Sequence, residues 1–195
     1  FVPETSHVDA AEVAGIYDLD RKKAEEFAAR HGGLRIYDSY EELMGNVDAV
    51  YVATPHLSHY HQARQALENG LHVLCETPLV LNSSQAKELY ALAAEKSLVL
   101  LEANKTAFCP AFNHLVTLVK SGLIGDVVGV DASESKLWGS ERLKRELDPA
   151  QAGGSLFEMG SYPLLPIVRL LGVDYENVNI YSRMNGDGVD VYRRG

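Results

Sequence analysis

Short apolar segments alternate with amphipathic helices through the first half of this chain of 195 residues. Three of the apolar segments are nearly continuous, which is typical of strands buried on both faces of a sheet: residues 49–53, 71–75 and 98–101. The residues between them place apolar side chains at helical spacing and end at glycines or capping residues. Because these connections have the length that βαβ units need, the pattern predicts a doubly wound parallel sheet with helices on both faces.

The same alternation extends toward the amino terminus with weaker strands. Residues 11–17 and 35–37 are strand candidates, and a helix over 21–31 is predicted between them because Gly32 and Gly33 can end it. Further helices are expected after Ser39, which has Glu42 three residues on, over 58–69, and from Ser83 to Lys96. Residues 1–107 therefore predict a Rossmann-type α/β domain.

The character of the sequence changes in residues 108–195. A helix over 111–121 precedes a strand candidate over 126–137, which is longer than the usual strand of about five or six residues and suits a broad antiparallel sheet. A further helix and two strands are expected at 160–171, 178–182 and 189–192. This half predicts part of an α+β domain with a large, mainly antiparallel sheet. No glycine loop precedes the first visible strand, so we expect the chain to be a fragment.

Charge and composition argue against several classes of partner. The net charge of −9 and the lack of any run of Lys or Arg disfavour nucleic acid and anionic membrane surfaces. No apolar stretch approaches the ~20 residues that a membrane span needs. The amino terminus shows no secretory signal pattern. The two cysteines, Cys75 and Cys109, are far apart in sequence and favour a cytoplasmic protein with reduced thiols.

Asp18 ends the first visible strand candidate. An acid at the end of the second strand of such a sheet can accept hydrogen bonds from both hydroxyls of an adenosine ribose. The same carboxylate would repel a 2′-phosphate, so it favours NAD over NADP. The alternative is that Asp18 caps the helix over 21–31, a role that Asp20 can also fill.

Polar residues follow two neighbouring strands of the predicted sheet. They are Thr54, Pro55, His56 and His59 after one strand, and Glu76 and Thr77 after the next. Ligands bind at the carboxyl ends of strands in open α/β sheets, so we expect these residues to line one cleft. The alternative is two plain strand-to-helix loops, with Ser58 as a helix cap. A metal site is not predicted, because His61 lies two residues from His59 on a helix and faces elsewhere.

A glycine-rich turn leads into the helix predicted over 160–171. Glu158 and Tyr162 are four residues apart, so in a helix they lie on one face, one turn from each other. A tyrosine there can act as general acid when a hydride leaves or reaches a carbinol carbon. The alternative is a plain turn before a core helix that contains one buried tyrosine.

Together these motifs resemble the glucose–fructose oxidoreductase / inositol dehydrogenase / rhizopine-catabolism (Gfo/Idh/MocA) family. The most specific stretches are 53–59 and 66–78, and the spacing between them is also that of the family. Residues 102–110 and 153–164 are similar to the dihydrodiol and xylose dehydrogenase branch, in which a tyrosine replaces the histidine of inositol dehydrogenases.

The resemblance implies a Rossmann domain followed by a domain on a large, mainly antiparallel sheet. It implies NAD(P)-dependent oxidation or reduction of a sugar, polyol or related carbinol, and a homodimer or homotetramer formed through that sheet. By position, Asp18 would hold the ribose, Tyr162 would be the acid–base group and Glu158 would shape the substrate pocket. The residues implied on the nicotinamide side are Thr54, Pro55, His56, His59, Glu76 and Thr77.

Three features depart from the family's pattern. The glycine-rich loop is absent, Thr77 stands where the family has a lysine, and Glu158 stands where aspartate is commoner. An ammonium beside a developing alkoxide contributes several kcal/mol, and Thr77 cannot supply that charge. Lys105 follows the strand over 98–101, and the hypothesis is that it points into the same cleft and replaces the lost charge. The alternative is a solvated loop lysine.

Three functions stay open on this reasoning. The first is an active dehydrogenase or reductase on a sugar-like substrate. The second is a catalytically impaired member that binds a nucleotide or sugar as a sensor or structural protein. The third is a non-redox enzyme of the same fold, such as a glycosidase that uses transient oxidation. Residues 136–151, which would bind substrate most specifically, follow no pattern that identifies the substrate.

Overall fold

The computed structural model describes residues 1–137 and 143–195. Its first half is built around three parallel strands, in the order β1-β2-β3. The elements of this half are α1 (Val2–Thr5), α2 (Arg21–Arg30), α3 (Tyr40–Met44), β1 (Ala49–Val52), α4 (His56–Glu68), β2 (His72–Cys75), α5 (Ser83–Glu95), β3 (Leu100–Glu102) and α6 (Lys105–Phe108). The parallel, helix-connected sheet confirms the predicted α/β class.

The register of the three strands places their carboxyl ends at one edge. Val52 pairs with Cys75, and Cys75 pairs with Glu102. Backbone hydrogen bonds continue one residue beyond the strands, from the Glu76 N–H to the Val52 carbonyl and from the Ala103 N–H to the Cys75 carbonyl. The residues that follow β1, β2 and β3 therefore emerge side by side.

The core lies between this sheet and the helices packed on it. Leu67 in α4, Leu89 in α5 and Cys75 in β2 are completely buried. Burying a leucine side chain contributes about 1.5–3 kcal/mol relative to leaving it exposed, so these contacts are the main force that holds α4 and α5 on the strands.

The two weak strands expected near the amino terminus are reduced to a single parallel bridge between Ile16 and Ile36. The Ile16 N–H donates to the Arg35 carbonyl at 2.8 Å, and the Tyr37 N–H donates to the Ile16 carbonyl at 2.9 Å. Gly15 makes this approach possible, since a Cβ there would lie 2.5 Å from the Arg35 carbonyl oxygen. The strands predicted over 11–17 and 35–37 are thus too long, because only these few backbone groups pair.

The second half is mainly helical. Its elements are α7 (Pro110–Lys120), α8 (Leu143–Glu146), a 3₁₀ turn (Pro149–Gln151), α9 (Ser155–Met159), α10 (Ser161–Leu171), β4 (Tyr181–Met184) and β5 (Asp190–Arg194). β4 and β5 form an antiparallel pair. Within the described residues the antiparallel sheet has these two strands and is smaller than the large sheet that was predicted.

The strand predicted over 126–137 is wrong for the described chain, where these residues form neither helix nor strand. A strand is stable only when its backbone N–H and C=O groups pair with a neighbour. β4 and β5 pair with each other and not with this segment. Val128 and Leu137 are 99% and 100% exposed, so these two apolar side chains pack against nothing in the described chain.

Two of the predicted helix caps, Ser58 and Ser83, are wrong, and one, Ser39, is confirmed. Ser39 accepts a hydrogen bond from the Glu42 N–H, as predicted. Asn82 rather than Ser83 caps α5. α4 begins at His56, directly after Pro55, so Ser58 lies inside the helix and is not its cap. No helix of the described residues is long and apolar enough to cross a membrane.

The division at residues 107 and 108 falls within α6. The separation into two domains stays a prediction.

Candidate functional site

A cavity of about 340 Å³ opens where β1 and β2 end. It brings together the residues that follow these two strands with side chains from the second half of the chain. The lining residues are Ala53, Thr54, Pro55, His56, His59, Glu76, Thr77, Arg145 and Glu158. Six of them were expected to share one cleft, and the parallel register places them there.

The loop after β1 is held against α4 by side-chain hydrogen bonds. The Thr54 hydroxyl donates to the Gln62 amide oxygen at 2.6 Å. His59, one turn into α4, is completely buried and contacts the carbonyl oxygens of Thr54 and Pro78. One side chain thus joins the loop after β1 to the loop after β2.

A tyrosine from β1 is hydrogen-bonded to the acid that follows β2. The Tyr51 hydroxyl donates to a carboxylate oxygen of Glu76. Burial raises the pKa of Tyr51, and the hydrogen bond to Glu76 raises it further, with smaller contributions from nearby charges that include Tyr162. Tyr51 therefore stays protonated as a donor, and it holds the Glu76 carboxylate at the cavity.

Glu158 forms an ion pair with Arg145. The Arg145 Nη2 donates to Glu158 Oε2 at 3.1 Å, and Nη1 lies 3.1 Å from Oε1. The Glu158 side chain is only 9% exposed, whereas that of Arg145 is 34% exposed. Only the first of these two contacts, that of Nη2, has the geometry of a hydrogen bond. A hydrogen bond between charged groups is stronger than a neutral one, so this contact orients the Glu158 carboxylate.

His56 completes this cluster. Its Nδ1 lies 3.2 Å from the Ala152 carbonyl oxygen, and its Nε2 lies 3.7 Å from Glu158 Oε1. Desolvation lowers the pKa of His56 most; the Ala152 carbonyl and Glu158 oppose this, while the charges of Arg145 and His59 add to it. A neutral His56 donates from Nδ1 to Ala152, so its Nε2 carries the lone pair and faces Glu158.

Glu158 and Tyr162 lie on two short helices that Gly160 separates. Gly160 keeps helical dihedral angles, φ −60° and ψ −29°, so the chain continues in the same sense from α9 into α10. Asn104, buried after β3, donates to the Ser161 carbonyl oxygen at 3.2 Å and so anchors the start of α10 to the first half of the chain. Tyr162 is partly buried and is not among the residues that line the cavity.

Asp18 is exposed, and it does not cap α2. Asp20 is the cap, since its side chain accepts from the N–H groups of Lys22 and Lys23. Asp18 Oδ1 accepts from the Asp20 N–H at 2.8 Å. Of the two roles considered for Asp18, capping is thereby excluded.

Lys105 begins α6 and is exposed. It does not line the cavity. This placement favours the alternative, a solvated lysine, over a cation in the cleft.

Two residues of the site escaped the sequence reasoning. Arg145 comes from the segment 136–151 that followed no pattern, of which 138–142 lie outside the described residues. Asp190 at the start of β5 accepts from the Ser155 hydroxyl at 2.6 Å and from the Leu156 N–H at 2.9 Å, and so holds the amino end of α9. Neither has a local signal, because each meets its partner across more than ten residues of sequence.

Within the described residues, no group of three or more His, Cys, Asp or Glu side chains is placed to bind a metal ion.

Replacing Gly153 by alanine should lower the free energy of unfolding by about 1–3 kcal/mol. The added Cβ would overlap the Glu146 carbonyl oxygen and lie 2.7 Å from the Arg145 carbonyl oxygen. Both are backbone atoms, so α8 would have to move and would take Arg145 with it. Urea unfolding of the variant measures the loss.

Gly186→Ala is the matched control for this substitution. A Cβ at Gly186 meets nothing within 4 Å, so the change should stay within about 0.5 kcal/mol. An equal loss of stability in both variants would show that the contact between Gly153 and α8 is not the cause.

Comparison with known proteins identifies relatives of the whole described fold. A family model described as "Oxidoreductase family, NAD-binding Rossmann fold" (GFO_IDH_MocA) matches residues 2–104, more than half of the chain. Trans-1,2-dihydrobenzene-1,2-diol dehydrogenase of Sus scrofa is 34% identical over 192 residues, which are 97% of this chain and 56% of that protein. D-xylose 1-dehydrogenase (NADP(+)) of Hypocrea jecorina is 39% identical over 163 residues, 77% of this chain and 42% of that protein.

Among solved structures, KijD10 from Actinomadura kijaniata has a similar fold. This 3-ketoreductase was solved in complex with NADP and TDP-benzene; it superposes with a TM-score of 0.88 at 29% identity, over 98% of this chain and 59% of its own. The chain thus spans between about two fifths and three fifths of the length of these relatives.

Proposed function

Since the chain belongs to the Gfo/Idh/MocA oxidoreductase family with an NAD-binding Rossmann fold, we propose that it contributes the active site of an NAD(P)-dependent dehydrogenase or reductase. The substrate is a sugar, polyol or related molecule with a CH–OH or carbonyl group. The observation that carries the proposal is the cavity at the carboxyl ends of β1 and β2, which holds Glu76, His56 and the Glu158–Arg145 ion pair in one space.

The residues present fit a nicotinamide cofactor at this position. The cavity lies at the strand ends, where ligands bind in open α/β sheets. Thr54 and Glu76 offer it polar groups beside the apolar ring of Pro55, and its volume of about 340 Å³ lies in the range of small-molecule pockets. When bound, the nicotinamide accepts or supplies the hydride.

Proton transfer is assigned to Tyr162. In the oxidation of a carbinol, its Oη takes up the hydroxyl proton as the carbonyl forms, and in the reverse direction it returns that proton to the oxygen. Asn104 supports this role because it anchors the start of α10, the helix that carries Tyr162. Glu158 supports it from α9, the helix directly before α10. Glu158, held by Arg145, orients substrate hydroxyl groups.

Arg145 supplies the positive charge in the cavity that Thr77 does not. Arg145 is the only Lys or Arg among the described residues that line the cavity. A guanidinium beside the substrate oxygen stabilises negative charge as it develops, which is the role of an oxyanion-binding group. Lys105, which is exposed and outside the lining, is the competing candidate for this role.

NAD is the proposed cofactor, in preference to NADP. Asp18 is exposed and is not used as a helix cap, so its carboxylate is available to ribose hydroxyls. Arg21, three residues further along the chain, is paired with Asp38 and Glu25. The xylose dehydrogenase is named with NADP(+), which makes the choice of cofactor a sharp test.

Binding of NADH and NADPH to the full-length protein tests the function and the cofactor together. We expect NADH to bind more tightly, and Asp18→Ala to reduce that preference because the repulsion of a 2′-phosphate is lost. Glu95→Ala, which removes an exposed carboxylate at the end of α5, is the control and should leave the preference unaltered. Tighter binding of NADPH would contradict the assignment of NAD, and failure to bind either would contradict the oxidoreductase itself.

A second candidate function is favoured by Thr77. Without a lysine at this position the protein can bind a nucleotide or sugar without turnover, as a sensor or structural protein. The two functions differ in one measurement: absorbance change at 340 nm with candidate substrates by the intact wild-type protein. Turnover dismisses the second function, whereas cofactor binding without turnover, together with turnover gained by Thr77→Lys, supports it.

Assembly as a homodimer or homotetramer through the β4–β5 sheet is part of the same proposal. The sheet exposes apolar side chains: Tyr181, Met184, Val191 and Tyr192 are between 44% and 67% exposed. A cytoplasmic location, with Cys75 and Cys109 both reduced, completes it.

A further inference from the structure

His59 makes contacts that a neutral histidine cannot satisfy. Its Nδ1 lies 2.8 Å from the Pro78 carbonyl oxygen, and its Nε2 lies 2.6 Å from the Thr54 carbonyl oxygen. Carbonyl oxygens only accept hydrogen bonds, and a neutral imidazole has a single N–H to donate. In a neutral ring, one nitrogen would direct its lone pair at a carbonyl oxygen within hydrogen-bond distance.

We propose that His59 is a buried imidazolium that donates both N–H groups, one to each loop of the cavity, and that its positive charge acts on the neighbouring ring of His56. This makes His59 a positioning residue for the site. The protonation does not depend on the proposed hydride transfer and can be tested whether or not the protein turns over a substrate.

Burial makes the two hydrogen bonds decisive. His59 is 0% exposed, and a buried charge is unfavourable unless it is hydrogen-bonded. Here each N–H has a carbonyl oxygen, and hydrogen bonds from a charged donor are shorter and stronger than neutral ones. Distances of 2.6 Å and 2.8 Å lie at the short end of the usual range.

Charged and titratable groups line the cavity beside His59. They are Glu76 after β2, Glu158 in α9, Arg145 in α8 and His56 in α4; Glu102 at the end of β3 accepts from the Leu79 N–H, next to Pro78. In the lining, the two carboxylates of Glu76 and Glu158 outnumber the one guanidinium of Arg145, which favours a further positive charge. His59 supplies it at a fixed position between the two loops.

His56 is the neighbour that responds to this charge. The two imidazole rings meet edge to face, with their centroids 5.7 Å apart. Desolvation lowers the pKa of His56 most, and the charges of Arg145 and, to a smaller extent, His59 lower it further. A neutral His56 keeps its Nε2 lone pair toward Glu158 and the cavity, where it can accept a hydrogen bond from a substrate hydroxyl group.

Nitrogen-15 NMR of the imidazole rings in the wild-type protein tests the protonation directly. At about pH 7.5 an ordinary histidine is mostly neutral, so one nitrogen resonates as protonated and the other as unprotonated. We expect both nitrogens of His59 to resonate as protonated. A resonance from an unprotonated His59 nitrogen overturns the proposal.

His72 is the internal control for this spectrum. Its Nδ1 accepts a hydrogen bond from the Val99 N–H at 2.9 Å, so we expect an unprotonated Nδ1 and a protonated Nε2. The variants His59→Gln and His72→Gln assign the two sets of resonances. If His59→Gln does not fold, correlation of the ring resonances with assigned backbone resonances identifies His59 in the wild-type spectrum, so the test does not depend on that variant.

Titration of His56 tests the second part of the proposal. In folded His59→Gln, the midpoint of the His56 titration should shift upward because a neighbouring positive charge has been removed. In His72→Gln it should stay where it is in the wild type. A purely structural role of His59 would not shift this midpoint. An unchanged midpoint in folded His59→Gln therefore overturns the proposed effect of His59 on His56.

Discussion

Tyr162→Phe should lower kcat by about 10²- to 10⁴-fold, which is the usual contribution of a positioned general acid or base. The phenol is the group assigned to take up and return the carbinol proton, and phenylalanine keeps the ring that packs in α10. Cofactor binding should therefore be nearly unchanged, because Tyr162 does not line the cavity at the strand ends. Steady-state kinetics with the full-length protein, together with NADH binding, separate the two effects.

Tyr60→Phe and Tyr51→Phe complete this comparison. The Tyr60 hydroxyl donates to Glu88 on the surface at 2.6 Å, so its loss should leave kcat unchanged. Tyr51 competes with Tyr162 for the role of proton carrier, since it is hydrogen-bonded to Glu76 beside the cavity. A large loss of kcat in Tyr51→Phe with full activity in Tyr162→Phe would transfer the role to Tyr51.

The parallel sheet was predictable from sequence because its determinants are local. The strands near 49–53 and 71–75 are apolar runs that end in polar residues, and each is followed by a helix with clear periodicity. Once these strands are parallel, their carboxyl ends meet at one edge. Thr54 and Glu76 could therefore be placed in one cleft without knowledge of any contact between them.

The parts that sequence missed depend on partners far away in the chain. The segment 126–137 has the composition of a strand but pairs with no strand of the described chain, so its propensity is not realised. Asp190 has no helix beside it in sequence, yet it holds the start of α9. Propensity predicts an element only where tertiary contacts agree with it.

Arg145 is another residue whose partner lies far away in the sequence. We expect its replacement to cause the second large loss of activity. Arg145→Met should lower kcat by about 10²- to 10³-fold, the usual cost of removing one group that stabilises a developing oxyanion. Methionine keeps an unbranched apolar side chain but leaves the cavity lining without its cation. The Glu158 carboxylate, 9% exposed, also loses its ion-pair partner.

Lys105→Met is the matched variant, since it removes one positive charge from the other candidate. Lys105 is exposed and lies outside the cavity lining, so kcat should stay near the wild-type value. The opposite result, with activity lost in Lys105→Met and kept in Arg145→Met, would return the role to Lys105.

Two further variants separate the charge of Arg145 from its support of Glu158. Arg145→Lys keeps the positive charge but cannot reproduce the contact of the planar guanidinium with the Glu158 carboxylate. Adding Thr77→Lys to Arg145→Met puts a cation back into the cavity from the loop after β2 without restoring that contact. If charge is what the reaction needs, both variants should regain part of kcat. If neither variant regains activity, the main role of Arg145 is to orient Glu158. A cation elsewhere in the cavity cannot replace the ion-pair partner that holds this carboxylate in place.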